Sequence, residues 1–163
     1  MERTPDLPVR ASLGAVAGLG GTMVLQALRT AGEKWLPKTT PPIHQEPGEF
    51  MVEEAEGVLT DQLRREIPNW AESTTALGLA VGYGLTFGSL YAAARPRGGS
   101  IWADGIALGV GTWAVGYLGW LPALKLMPPV TDQKPGQILV PIAQYAAYGV
   151  ATVAAYRWLR RHV

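Results

Sequence analysis

Two groups of side chains in this 163-residue sequence have types and spacing suited to chemistry. The first is Asp104 with Arg95 and Arg97, a carboxylate about one turn into an apolar run and two guanidiniums just ahead of it. An ionisable group inside a bilayer is by default a functional candidate, because its charge is costly there, and a proton relay is the obvious use. The spacing favours a plainer role. Close to the end of the run, Asp104 can be wetted, can face the positive end of its own helix, and can pair with Arg95 or Arg97 across the Gly98-Gly99-Ser100 turn. The second group is His44 with Glu46, Glu49 and Glu53, joined by Asp132, an oxygen-rich set able in principle to hold a metal ion. It lacks the fixed helical spacing that makes such a set a metal motif. His44 and His162 both fall outside the long apolar runs, so a bis-histidine haem within them is excluded. With no cysteine, disulfide, iron-sulfur and thiolate chemistry are excluded too. No nucleophile-elbow, phosphate-binding or dinucleotide motif is present, and the basic residues flank apolar runs without forming a nucleic-acid patch. The expectation is a protein that is not an enzyme and takes no cofactor.

The elements that must position these groups follow from where charge is missing. Hydrophobic residues make up 48% of the chain and charged residues only 17%, too apolar for an ordinary soluble domain of this size. Uncharged stretches of 18, 22, 20 and 22 residues separate Arg10 from Arg29, Glu72 from Arg95, Asp104 from Lys125, and Lys134 from Arg157. At 1.5 Å per residue each can cross a hydrocarbon core of about 30 Å. Buried helices of a soluble bundle would each show a polar stripe, whereas residues 11–28 offer only Ser12, Thr22 and Gln26. The fold class expected is therefore all-α, an integral membrane four-helix bundle forming one domain over 1–163.

Orientation is read from Lys and Arg near the span ends. Seven lie with the termini and the 95–100 turn (Arg3, Arg10, Arg95, Arg97, Arg157, Arg160, Arg161) and seven on the opposite side. The first set is concentrated in short flanks and the second is spread through two longer connections, so both termini are expected in the cytoplasm. Trp35, Trp70 and Trp120 on one side, and Trp102 and Trp158 on the other, fall where interfacial aromatic belts form.

The chain also says one thing twice. WLPKTTPPIHQEPGE at 35–49 and WLPALKLMPPVTDQKPGQ at 120–137 share a Trp-Leu-Pro, a Pro-Pro-β-branched triplet and a Pro-Gly-Glu/Gln in one order. Each span carries a small-x-x-x-small-x-Gly pattern: Gly14, Gly18, Gly20; Gly78, Gly82, Gly84; Gly105, Gly109, Gly111; Ala143, Ala147, Gly149. Tyr83, Gly84, Tyr91 and Arg95 line up at constant offset with Tyr148, Gly149, Tyr156 and Arg160. The sequence thus reads as two tandem two-helix repeats, 11–97 and 101–162, related by a pseudo-twofold along the membrane normal. Pro37 and Pro122 are expected to stop their helices, and both corners to lie on one face.

The first repeat differs by an insert over 50–71. There Met51, Ala55, Val58, Leu59 and Leu63 recur at helical spacing among acidic residues, which predicts an amphipathic surface helix. It could serve as a lid, as a docking surface or as a plain solvated cover.

The Gly-rich first span, the LMPPV corner and the final YRWLRR resemble the YagU-type bacterial inner-membrane proteins, small four-helix proteins without an established activity. The resemblance implies a bacterial cytoplasmic membrane. The function expected is that of a scaffold or accessory subunit, packing through Gly-rich helices and presenting its acidic helix to a membrane-protein partner or to another copy of itself. The alternative is a small-solute or ion permeation unit formed at the repeat interface or in a homo-oligomer.

Overall fold

The computed structural model describes residues 5–44, 50, 51, 70–95 and 100–163. Four long helices run antiparallel in sequence: α1 (Leu7–Trp35), α2 (Trp70–Ala94), α3 (Ile101–Ala123) and α4 (Pro135–Arg160). All four are long and apolar enough to cross a membrane, taking α2 from Leu77. Their outward faces are apolar, with Met23, Leu77, Leu90, Leu118 and Leu139 all exposed. Such a surface suits lipid. In water it would be a liability of several hundred square ångströms.

Local signals explain the helix starts. Ser100 caps α3 by accepting a hydrogen bond from the Ala103 N–H at 3.3 Å, and Asp104 sits in the first turn where the dipole favours an anion. Pro135 opens α4, where its missing N–H is harmless, and the Gln137 side chain accepts from the Lys134 N–H at 3.0 Å. Within the spans the hydroxyls of Thr22, Thr112 and Thr152 donate to the carbonyl four residues back, so none is left unsatisfied.

The two hairpins pack through glycine. Gly14 and Gly18 of α1 meet Gly84 and Gly88 of α2, backbone against backbone, and Gly105 and Gly109 of α3 meet Gly149 of α4. Of the small residues in the sequence pattern, Gly20, Gly78, Gly82 and Gly111 face open space among the described residues, where an added Cβ would meet nothing within 4 Å. The hairpins then join along α1 and α4, where Gly21 fits against Thr152 and Tyr148, and the Gln144 amide donates to the Leu28 carbonyl at 3.1 Å.

Here the expected twofold is broken. A twofold would make the α2–α3 contact the counterpart of the α1–α4 contact, yet α2 and α3 barely touch. They are linked by the Trp120 indole N–H donating to the Tyr83 hydroxyl at 2.7 Å, and by Tyr91 donating to Asp104 at 3.1 Å. Among the described residues the bundle is a ring of four helices closed on three sides and open on the fourth.

The corners depart from expectation at Pro122. The helix passes through it and ends at Ala123, after a π-helical stretch over Val115–Trp120 with a break at Gly119 (φ −99°, ψ −108°). The break lies where Pro122 would collide with the preceding turn, and so absorbs the ring and the lost hydrogen bond. The chain then closes the helix with paired bonds, Leu126 N–H to Leu121 carbonyl and Lys125 N–H to Pro122 carbonyl, both 3.0 Å. This is a Schellman cap, with Lys125 at φ 60° in the place glycine usually takes, and Leu121 and Leu126 packed together beneath it. Pro37 does end α1, and a short 3-10 turn follows over Pro37–Thr39. The two corners lie on one face and are tied together: the His44 N–H donates to the Leu126 carbonyl at 2.8 Å and the Gln137 amide to the Thr40 carbonyl at 3.2 Å.

Most of the amphipathic insert, together with Glu46, Glu49, Glu53 and Arg97, lies outside the described residues. Phe50, at its start, packs on the cluster formed by Trp113, Tyr117, Leu121, Leu126 and Met127.

Candidate binding cleft

Between α2 and α3 the open side leads into a cleft of about 390 Å³. One face of α1 forms its back wall: Thr22 and Gln26 are four residues apart, Arg29 and Thr30 lie three and four beyond Gln26, and Glu33 four and three beyond those, a polar stripe on an otherwise apolar helix. Leu77, Ala80 and Tyr83 of α2 form one side and Thr112, Gly116, Tyr117 and Trp120 of α3 the other, with Tyr145 and Tyr148 of α4 at the floor. The rings interlock, Trp113 stacking on Tyr117 (5.6 Å between centroids) and Tyr117 meeting Tyr145 edge to face (6.0 Å). This fixes the aromatic walls.

The cleft is blind. Thr22, Gly84, Thr112 and Tyr148 mark its inner end near the middle of the helices, while Thr30, Glu33 and Ile43 mark its mouth at the corner face. From Thr22 to Glu33 the rise is about 16 Å, half of a bilayer's hydrocarbon thickness. Beyond Thr22 the bundle is filled by the Gly14/Gly18 to Gly84/Gly88 crossing and by a core of Ala17, Tyr91, Ala92, Val153 and Tyr156. Tyr91 and Tyr156, aligned with each other by the internal repeat, meet edge to face at 5.7 Å.

Arg29 sits near the mouth, half-buried, and also borders a smaller hollow of about 200 Å³ shared with Thr39, Thr40 and Gln144. Among the described residues no carboxylate comes within ion-pair distance of its guanidinium. The nearest acid along the helix is Glu33, one turn outward and exposed.

The residues singled out in the sequence lie elsewhere. Asp104 is at the opposite end, nearly buried, paired with the exposed Arg95 at 3.4 Å and accepting the Tyr91 hydroxyl on its other oxygen. That is the pairing expected with Arg95, with Tyr91 as a second partner not foreseen. The bond from Tyr91 and the pair with Arg95 tie the α2 terminus to the start of α3, a structural clasp. His44 is exposed at the corner, its backbone N–H engaged as above, and among the described residues no three His, Asp or Glu side chains could hold a metal ion. Trp120, expected in an interfacial belt, is turned inward to Tyr83, whereas Trp35, Trp102 and Trp158 are exposed as a belt requires.

Sequence reasoning missed the cleft and its Arg29. The signal was present in the spacing of Thr22, Gln26, Arg29, Thr30 and Glu33, which continues past the end of the uncharged run. Comparison of the chain with protein-family models, with curated proteins and with solved structures finds no match.

Proposed function

We propose that this protein is a non-enzymatic accessory protein of the bacterial cytoplasmic membrane that works by holding a guest in the seam between α2 and α3. The observation that carries this reading is the blind cleft: among the described residues it is open at the corner face and along the seam, and filled at the other half of the bundle. A permeation unit needs a path across both leaflets, and the packed Gly14/Gly18 crossing with its tyrosine core obstructs one here. Binding fits the shape better than conduction. Gly78 and Gly82, bare on α2, leave a flat strip where a partner helix or a second copy could approach closely, in keeping with an accessory role. In this reading both termini lie in the cytoplasm, since the Arg-dense flanks are at that end, and the cleft faces the outer leaflet. Reporter fusions at Val163 test the orientation.

The absence of native cysteine gives a clean test of the cleft. Gln26→Cys, one turn inside Arg29, should react with a small maleimide in detergent-purified protein, while reconstituted liposomes stay tight to ions and small solutes. A leak proportional to the protein content would favour the permeation reading. An introduced thiol that never labels would mean the seam is closed.

A further inference from the structure

The guest is a matter of charge, size and depth, and on these the cleft is specific. Resting on the open-seam reading above, we infer that the cleft binds a single-chain acid amphiphile, a long-chain carboxylate of the fatty-acid class. Its headgroup sits on Arg29 and its tail is directed inward between α2 and α3.

The headgroup follows from Arg29. A guanidinium presents a planar fork that matches a carboxylate, and this one has no acidic partner within ion-pair distance among the described residues. One such cation matches one negative charge. Glu33, a turn further out, repels a second charge, which disfavours a dianionic phosphate.

The tail follows from the geometry. The cleft is about 16 Å deep, one leaflet of hydrocarbon, so a chain anchored at the mouth lies parallel to its neighbours in the bilayer. Below the mouth its walls carry no charge: Leu25, Ala80, Gly116 and Leu121 with the tyrosine and tryptophan rings give an apolar side, and Thr22, Gln26 and Thr112 a neutral polar one. The volume of about 390 Å³ is at the small end of the roughly 300–1,000 Å³ range of ligand sites, suited to one chain and not two. The seam where α2 and α3 barely touch gives lateral access from the leaflet, so the amphiphile need never cross water.

The Gln26→Cys protein supplies the assay, with protection from maleimide as the readout. Oleate, oleyl alcohol and phosphatidylglycerol are titrated in turn. Oleate should protect at about tenfold lower concentration than oleyl alcohol, the margin of one charge-assisted contact. Arg29→Ala in the same background should erase that margin and leave protection by the alcohol unchanged, and Arg29→Lys should restore part of it. Ala80→Trp, which fills the cleft from the α2 wall, should slow labelling with no ligand added. Size-exclusion profiles identify any variant that fails to fold, and the Arg29→Lys arm keeps the test decisive if Arg29→Ala is lost. Equal protection by oleate and oleyl alcohol, or stronger protection by phosphatidylglycerol, would overturn the inference and leave the open seam intact. A Gln26→Cys thiol that is inert in every condition would overturn both.

Discussion

Gly18→Ala should destabilise the protein, whereas Gly20→Ala, two residues along α1, should not. A Cβ on Gly18 would stand 2.7 Å from the Gly84 carbonyl carbon and 3.3 Å from the Gly88 Cα, and nearer still to the Gly84 oxygen. Carbon atoms are at ease from about 3.5 Å, so α1 and α2 must separate by something near an ångström. The obstacle is backbone, which cannot swing aside as a long side chain does. Forcing a methyl into such a contact costs about 1–3 kcal/mol, and the separation also loosens the Gly14 to Gly88 contact a turn away. Alanine's helix propensity returns up to about 1 kcal/mol in water. Less is recovered in lipid, where the separated helices are already helical. Gly18→Ala should therefore lose about 1–3 kcal/mol. At Gly20 a Cβ meets nothing within 4 Å, and the change should lie between zero and a gain of about 1 kcal/mol. Gly109→Ala and Gly111→Ala repeat the comparison in the second hairpin, where a Cβ on Gly109 meets the Tyr145 carbonyl carbon at 2.6 Å and one on Gly111 meets nothing. Reversible unfolding by SDS titration in mixed micelles, followed by tryptophan fluorescence, measures all four. Equal effects at Gly18 and Gly20 would refute the crossing as the main contact of the hairpin.

Three further outcomes are expected. Asp104→Asn should cost no more than about 1 kcal/mol, because Arg95 is 61% exposed and its pairing is screened, whereas Asp104→Leu should cost about 1–3 kcal/mol more by stranding the Tyr91 hydroxyl. The same titration checks this, and indistinguishable variants would show the Tyr91 bond to be idle. Lys125→Gly should stabilise the protein by about 1 kcal/mol, since a left-handed backbone costs a lysine what it does not cost glycine; a loss would point to a role for the ammonium group. Trp120→Phe removes the donor to Tyr83 and should widen the seam, lowering stability by about 1 kcal/mol while speeding maleimide reaction in the Gln26→Cys background; an unchanged rate would mean that this bond does not hold the seam.

The sequence by itself determined the four membrane-length helices, their antiparallel course and the pairing of Asp104 with an arginine just ahead of it, Arg95 or Arg97, since each rests on composition or on neighbours close along the chain. Only the tertiary structure decided which glycines are contacts, Gly18 and Gly84 but not Gly20 or Gly82, and that the α2–α3 side stands open. It also set Lys125 in a left-handed cap and turned Trp120 inward, against the usual habits of both residues. In water, an amphipathic pattern tells which face of a helix is buried. A membrane span loses that signal, because lipid is as apolar as the protein interior and either face of the helix can meet either. The polar stripe from Thr22 to Glu33 kept its periodicity and could have been read; the rest depended on which helix backbones approach one another, and that is a property of the packed bundle.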